Sequence, residues 1–277
     1  MAQIKDLLVS AVGRLDETSP TAQLDAELLL AYVLDKNRTW LKTWPDAEPS
    51  VDEAQQFQQL IERRSTGEPV AYLTGEQAFW SLNLHVSPAT LIPRPETELL
   101  VEKILAAKTA EKGISLLDLG TGSGAIALAL ASEKPGWKID ACDQSEAALL
   151  IAEQNRAKYD LSVTFSRSNW FSDYQGRRFD VIVSNPPYIE ENDHHLFQGD
   201  VRFEPITALA SGKDGLDAIR RIVSEAKTHL NENGLLIFEH GYQQASAVQH
   251  ILVTAGFSRV ATHRDLSGHD RVTLGYK

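Results

Sequence analysis

The 277-residue sequence contains a single cysteine, Cys142. A lone thiol excludes a disulfide framework and any cysteine-rich zinc site, and such scarcity fits a reducing compartment. Long apolar runs are also missing. The longest, such as Leu28–Leu34 and Ala125–Ala131, fall far short of the roughly 18 residues that a membrane span needs. Lys5 and Asp6 interrupt the first residues and no long apolar stretch follows, so no signal peptide is expected. These absences together predict a cytoplasmic protein. Basic residues are in the minority, 27 Lys and Arg against 38 Asp and Glu, for a formal net charge of −11. That balance argues against coating duplex nucleic acid by bulk charge, although it leaves room for a local basic groove. Neither an internal repeat nor a low-complexity segment is present.

What is present has two rhythms. Residues 1–74 read as helices only, a small bundle expected to dock a substrate. Ile4, Leu7, Leu8, Ala11, Val12 and Leu15 recur at helical spacing. Ser19-Pro20 opens a second helix with Leu24, Leu28, Ala31 and Leu34 as its expected buried face. Ser50-Val51-Asp52-Glu53 is a capping box, and the helix it starts is expected to bury Val51, Ala54, Phe57 and Ile61. Residues 75–95 read as a connector with a short β element, because Trp80, Leu82, Leu84 and Val86 alternate with polar residues. Its proline-rich end, Leu91-Ile92-Pro93-Arg94-Pro95-Glu96, suits neither a helix interior nor a central strand. From residue 96 to 277, strands and helices alternate, which predicts a mostly parallel sheet covered on both faces, with ligands beyond the carboxyl ends of its strands.

Two motifs fall on that edge. Asp118-Leu119-Gly120-Thr121-Gly122-Ser123-Gly124 joins a strand to a helix, where glycines let the backbone turn tightly and approach a ligand. Asp143 ends the following strand, placed to accept hydrogen bonds from ribose hydroxyls. A nucleoside-type cofactor is implied. Gly120, Gly122 and Ala125 also satisfy the looser dinucleotide fingerprint, so the loop alone does not separate nicotinamide from S-adenosylmethionine. Asn185-Pro186-Pro187-Tyr188 follows the strand Phe179–Ser184 on the same edge. Paired prolines are stiff and donate no backbone hydrogen bonds. They leave the Asn185 amide oxygen and the Pro186 carbonyl as fixed acceptors, with the Tyr188 ring beside them. Such a pocket suits a planar NH₂ group. Asp193-His194-His195 reads as a polar loop without a further ligand nearby, so no metal is expected. Arg94 and Glu96 are expected to organise the connector, whereas Arg202, Phe203 and Glu204 could line a peptide entry or brace a loop.

The glycine loop, Asp143 and Asn185–Tyr188 resemble S-adenosylmethionine-dependent methyltransferases of the Asn/Asp-Pro-Pro-Tyr type. Phe79-Trp80-Ser81-Leu82, the tract Leu91–Glu98, Asp200-Val201-Arg202-Phe203-Glu204-Pro205 and Glu239-His240-Gly241 narrow the resemblance. With the helical first part, they are similar to the peptide chain release factor glutamine methyltransferases, the PrmC/HemK family, over nearly the whole chain. The resemblance implies a Rossmann-like class I α/β methyltransferase domain behind the helical bundle. It further implies S-adenosylmethionine as cofactor and, as substrate, the Gly-Gly-Gln glutamine of class I release factors. In that frame Gly120, Thr121, Gly122, Ser123 and Gly124 face the methionine part of the cofactor, Asp143 its ribose and Trp170 its adenine. Asn185 also belongs to the expected cofactor-binding set; Asn185, Pro186 and Tyr188 are the expected catalytic residues, and with Pro187 they form the substrate site. Asn169 departs from the Asp that related enzymes often carry beside the adenine, although an Asn oxygen can still accept. The alternative from the same tetrapeptide is methylation of adenine N6 or guanine N2 in nucleic acid.

Overall fold

The computed structural model describes residues 2–109 and 113–277. Its contacts divide the chain into two compact units, one of residues 1–76 with 199–203 and one of 77–198 with 204–277.

The first unit is built from α1 (Ile4–Leu15), α2 (Ala22–Val33), α3 (Arg38–Thr43), α4 (Val51–Ser65) and α5 (Val70–Thr74). α1 buries Ile4, Leu7, Ala11 and Leu15, the stripe its spacing predicts. The Ser50 capping box is formed, with Glu53 N–H donating to Ser50 Oγ at 3.2 Å and Ser50 N–H to Glu53 Oε2 at 2.7 Å. Two expectations about buried faces are corrected. Leu24 and Leu28 are 36% and 37% exposed, and α2 instead buries Ala22, Asp25, Ala26, Leu29 and Leu30. The run Leu28–Ala31 is apolar on every side, so periodicity alone does not choose a face. The choice falls to Asp25, whose Oδ2 accepts from Arg64 Nε at 2.7 Å and from Ser19 Oγ at 2.7 Å inside the bundle. Val51 is 68% exposed because, as the first residue of α4, it points off the buried stripe of Phe57, Leu60, Ile61 and Arg64. Arg64 also reaches Asp200 Oδ1 at 2.8 Å, and Arg202 donates to the Thr66 carbonyl. These bonds draw residues 199–203 into this unit.

The second unit begins with a hairpin, β1 (Glu76–Phe79) and β2 (Leu82–His85). The alternating segment expected from Trp80 to Val86 forms β2 from Leu82 to His85, and a second strand, β1, precedes it. Trp80 takes a left-handed φ of 55° between them, which reverses the chain. The hairpin is part of a core rather than a free linker: Phe79, Leu82 and Leu84 are buried with Leu100, Val101 and Ile104 of α6 (Glu98–Ala107).

A seven-stranded sheet follows. Its strands are β3 (Ser115–Leu119), β4 (Lys138–Asp143), β5 (Val163–Arg167), β6 (Phe179–Ser184), β7 (Leu230–Glu239), β8 (Ser258–Arg264) and β9 (Asp270–Tyr276). Spatial order is β5-β4-β3-β6-β7-β9-β8, parallel except for β9. Helices α7 (Ala125–Glu133), α8 (Glu146–Tyr159), α9 (Asp217–Ala226) and α10 (Ala245–Thr254) connect the strands. Both faces are covered, so alternate residues feed two apolar layers: Leu116, Val181 and Ile237 in one, Leu117, Ile182 and Leu236 in the other. Strand order reverses between β3 and β6, which opens a crevice at their carboxyl ends.

Asp118, near the end of β3, is a fully buried acid. Burial pushes its carboxyl up to about 7, opposed by the Thr121 hydroxyl, which donates to Oδ2 at 2.6 Å. The folded chain thus holds this proton more tightly than an unfolded chain with an Asp pKa of about 3.9. The associated stability is whole below that value and is lost as pH rises through about 7. Asp118→Asn keeps an acceptor for Thr121 and does not titrate. Its Tm should therefore fall less than that of the wild type between acid and mildly alkaline buffer; parallel Tm–pH curves would contradict this. In the first unit, Arg64→Ala leaves Asp25 buried without its cation and should cost about 3–5 kcal/mol in urea unfolding.

Candidate active site

The glycine loop leaves β3 as a tight reversal. Gly120 and Thr121 both donate backbone N–H groups to the Cys142 carbonyl, each at 2.9 Å. Gly122 takes a φ of 57°, and its N–H donates to Asp143 Oδ2 at 3.0 Å. Asp143 Oδ1 accepts from Ser145 N–H at 2.9 Å. Both carboxylate oxygens are thereby fixed, and each keeps a further lone pair. Asn155 of α8, wholly buried, donates to the Ser123 carbonyl at 2.9 Å and exchanges hydrogen bonds with the His85 backbone. One amide ties the loop to the hairpin.

A cleft of about 270 Å³ opens above this loop. Gly120, Thr121, Gly122, Ser123, Asp143, Asn169, Trp170, Asn185 and Pro187 line it. A Cβ on Gly122 would meet nothing within 4 Å, so the backbone there faces open space. Three expected site residues are absent from the lining: Gly124, Pro186 and Tyr188. At Gly124 a Cβ would come within 2.9 Å of Leu128 and 3.2 Å of Phe165, so this glycine serves close packing of α7 rather than ligand approach. The Pro186 ring is buried, and the Tyr188 hydroxyl turns inward to Glu239 Oε1 at 3.0 Å.

The tetrapeptide is held at both ends. Asn185 Nδ2 donates to Thr97 Oγ1 at 3.2 Å. Tyr188 N–H donates to the Leu209 carbonyl at 3.1 Å, and the Tyr188 carbonyl accepts from Gln244 Nε2 at 3.0 Å. Among the described residues, neither Asn185 Oδ1 nor the Pro186 carbonyl accepts a hydrogen bond from the protein. Burial and the neighbouring Glu239 charge push the Tyr188 phenol far up, so it stays protonated. Burial likewise lifts the Cys142 thiol to about 12, which leaves it no nucleophilic role.

Other candidates resolve as supports. Glu204, buried, accepts from Ile92 N–H at 3.0 Å and from the Arg94 guanidinium. It braces the segment from which Thr90, Leu91 and Pro93 line the cleft. Asp193 and His195 bond each other at 2.7 Å, and Asp193 also accepts the His195 N–H, capping a 3₁₀ turn on an exposed loop. Sequence reasoning assigned no role to Thr97 or Glu239. Their signal was their place, at the start of one helix and at the end of a central strand.

Comparison with known proteins identifies the family. Residues 6–75 match the model of the PrmC N-terminal domain, and residues 95–200 that of the methyltransferase small domain. The chain is 54% identical over 258 residues to the release factor glutamine methyltransferase of Pseudomonas aeruginosa, covering 93% of each chain. It is 47% identical over 273 residues to that of Shewanella oneidensis, covering 98% of this chain and 95% of the relative. A solved methyltransferase from Pyrococcus furiosus shares the fold, with a TM-score of 0.55 and 19% identity over 79% of this chain and 97% of that one. The chain belongs to the release factor glutamine methyltransferase family and carries the class I S-adenosylmethionine-dependent methyltransferase fold.

Proposed function

We propose that this protein methylates the side-chain amide nitrogen of a glutamine in a peptide chain release factor, using S-adenosylmethionine. The glutamine is that of the Gly-Gly-Gln motif in class I factors, as the family resemblance implies. One observation carries the reading: two acceptor oxygens to which no described residue donates, Asn185 Oδ1 and the Pro186 carbonyl, on a stiff turn beside a glycine-floored cleft.

The cleft residues suit the cofactor. An open backbone at Gly122 accepts close approach, the remaining Asp143 lone pairs match ribose hydroxyls, and Trp170 with Asn169 offers a flat wall and an acceptor for adenine. Bound there, S-adenosylmethionine supplies a methyl group on a positively charged sulfur.

The chain's own task is to present the nitrogen. An amide nitrogen delocalises its lone pair into the carbonyl, the source of a rotation barrier of about 18–20 kcal/mol, and is a poor nucleophile. Asn185 Oδ1 and the Pro186 carbonyl accept its two hydrogens and fix its orientation. Their partial negative charge gains value as positive charge grows on the nitrogen, so they favour the transition state over the ground state. Tyr188, held by Glu239, packs its ring against the amide. With its phenol protonated, Tyr188 is no base; the nitrogen sheds its proton after transfer. The helical first unit docks the release factor. A net charge of −11 favours a protein over nucleic acid as substrate. Among the described residues no helix is long and apolar enough to cross a membrane, and a translation factor as substrate supports a cytoplasmic enzyme.

Methyl-labelled S-adenosylmethionine offered with release factor, DNA or RNA should label the release factor at glutamine. Label on nucleic acid alone would overturn the assignment. Asn185→Ala should lower turnover by about 10²-fold or more, with cofactor affinity largely retained. Asp143→Ala should weaken cofactor binding in calorimetry; undiminished affinity would remove Asp143 from the site.

A further inference from the structure

We infer that Thr97 and Glu239 are positioning residues that lock the Asn185 side chain with its amide oxygen, rather than its NH₂, toward the substrate. The inference rests on the proposed reading of Asn185 as an acceptor for the glutamine amide, and it supplies what that reading leaves open. The two ends of an Asn amide are nearly the same size, so shape alone does not decide which one faces the cleft. A flipped Asn185 would present hydrogens to a substrate group that itself offers only hydrogens.

Proton counting along a buried chain makes the choice. Glu239 ends β7 and is 1% exposed. Its Oε2 accepts from Thr97 Oγ1 at 2.7 Å and its Oε1 from Tyr188 Oη at 3.0 Å. Burial pushes this carboxyl up, while the two hydroxyls that donate to it favour the charged form. The 2.7 Å bond to Glu239 Oε2 takes the single Thr97 hydroxyl proton. Toward Asn185 the hydroxyl has only lone pairs left, and it can be met only by an N–H. Asn185 Nδ2 lies 3.2 Å from it, which turns Oδ1 the other way.

Thr97 closes a 3₁₀ turn, Pro95–Thr97, that runs into α6 with helical φ and ψ of −67° and −21°, so its hydroxyl faces no orphan cap donor and is left to Glu239 and Asn185. The same carboxylate holds Tyr188, so one buried group sets both ends of the tetrapeptide.

The test uses the full-length protein, release factor and labelled S-adenosylmethionine, with three substitutions at Thr97. Thr97→Val keeps the shape and deletes the hydroxyl, Thr97→Ser keeps the hydroxyl, and Thr97→Ala serves should the valine protein not fold. Thermal unfolding and cofactor affinity are measured on each. The expected result is a kcat lowered about tenfold or more in Thr97→Val, with KM for release factor and cofactor affinity near wild type and kcat restored in Thr97→Ser. A kcat unchanged in Thr97→Val overturns the inference. So does an equal loss in Thr97→Val and Thr97→Ser, or a loss confined to cofactor affinity. Wild-type protein that leaves release factor unmethylated overturns the functional reading and this inference together. Active wild type with a fully active Thr97→Val overturns this inference alone.

Discussion

A planar NH₂ group can be aimed only by oxygens whose own positions are fixed and whose lone pairs are free. Four polar atoms of the tetrapeptide are engaged by neighbouring groups. Asn185 Nδ2 meets Thr97, the Tyr188 N–H meets Leu209, the Tyr188 carbonyl meets Gln244 and the Tyr188 hydroxyl meets Glu239. Two prolines contribute no N–H to compete. Asn185 Oδ1 and the Pro186 carbonyl, to which no described residue donates, sit as acceptors in this frame. Preorganisation of this kind costs nothing at the moment of reaction, because the surrounding bonds already exist before substrate arrives.

The fold makes that frame possible by bringing three strand ends together. β4, β3 and β6 are adjacent and parallel, so Asp143, the glycine loop and Asn185 emerge on one edge. Ser184 Oγ donates to the Leu119 carbonyl at 2.7 Å, pinning the strand end that carries the tetrapeptide to the one that carries the glycines. Apolar layers on both faces of the sheet hold these strands in register. The loops at their ends can then be irregular and still well placed.

Buried polar side chains act as staples between segments far apart in the chain. Glu204 holds the Ile92–Arg94 segment, Asn155 joins the hairpin to the glycine loop, and Arg64 gathers Asp25 and Asp200. Each is worth little as a gain in net stability but is expensive to break, since removing one partner strands the other in low dielectric. Their common effect is to specify where an otherwise proline-rich or irregular segment lies. Glu239 extends this pattern to the proposed catalytic edge.

The alternation of strands and helices, the glycine loop, Asp143 and the proline tetrapeptide were legible in the sequence because each is local. Periodicity, turn chemistry and a motif at a strand end need only a few neighbouring residues. The Ser50 capping box was legible for the same reason. Tertiary structure alone decided which face of α2 is buried, since its leucine run is apolar all round and Arg64 of another helix makes the selection. It also decided that the alternating segment pairs with a preceding strand through a turn at Trp80, and that Gly124 packs a helix while Gly122 faces the cleft. The hydrogen-bond chain from Asn185 to Thr97 to Glu239 spans sequence separations of 88 and 142 residues. No local pattern encodes a proton's direction across such distances; it follows only once the sheet has placed a buried carboxylate beside the hydroxyl.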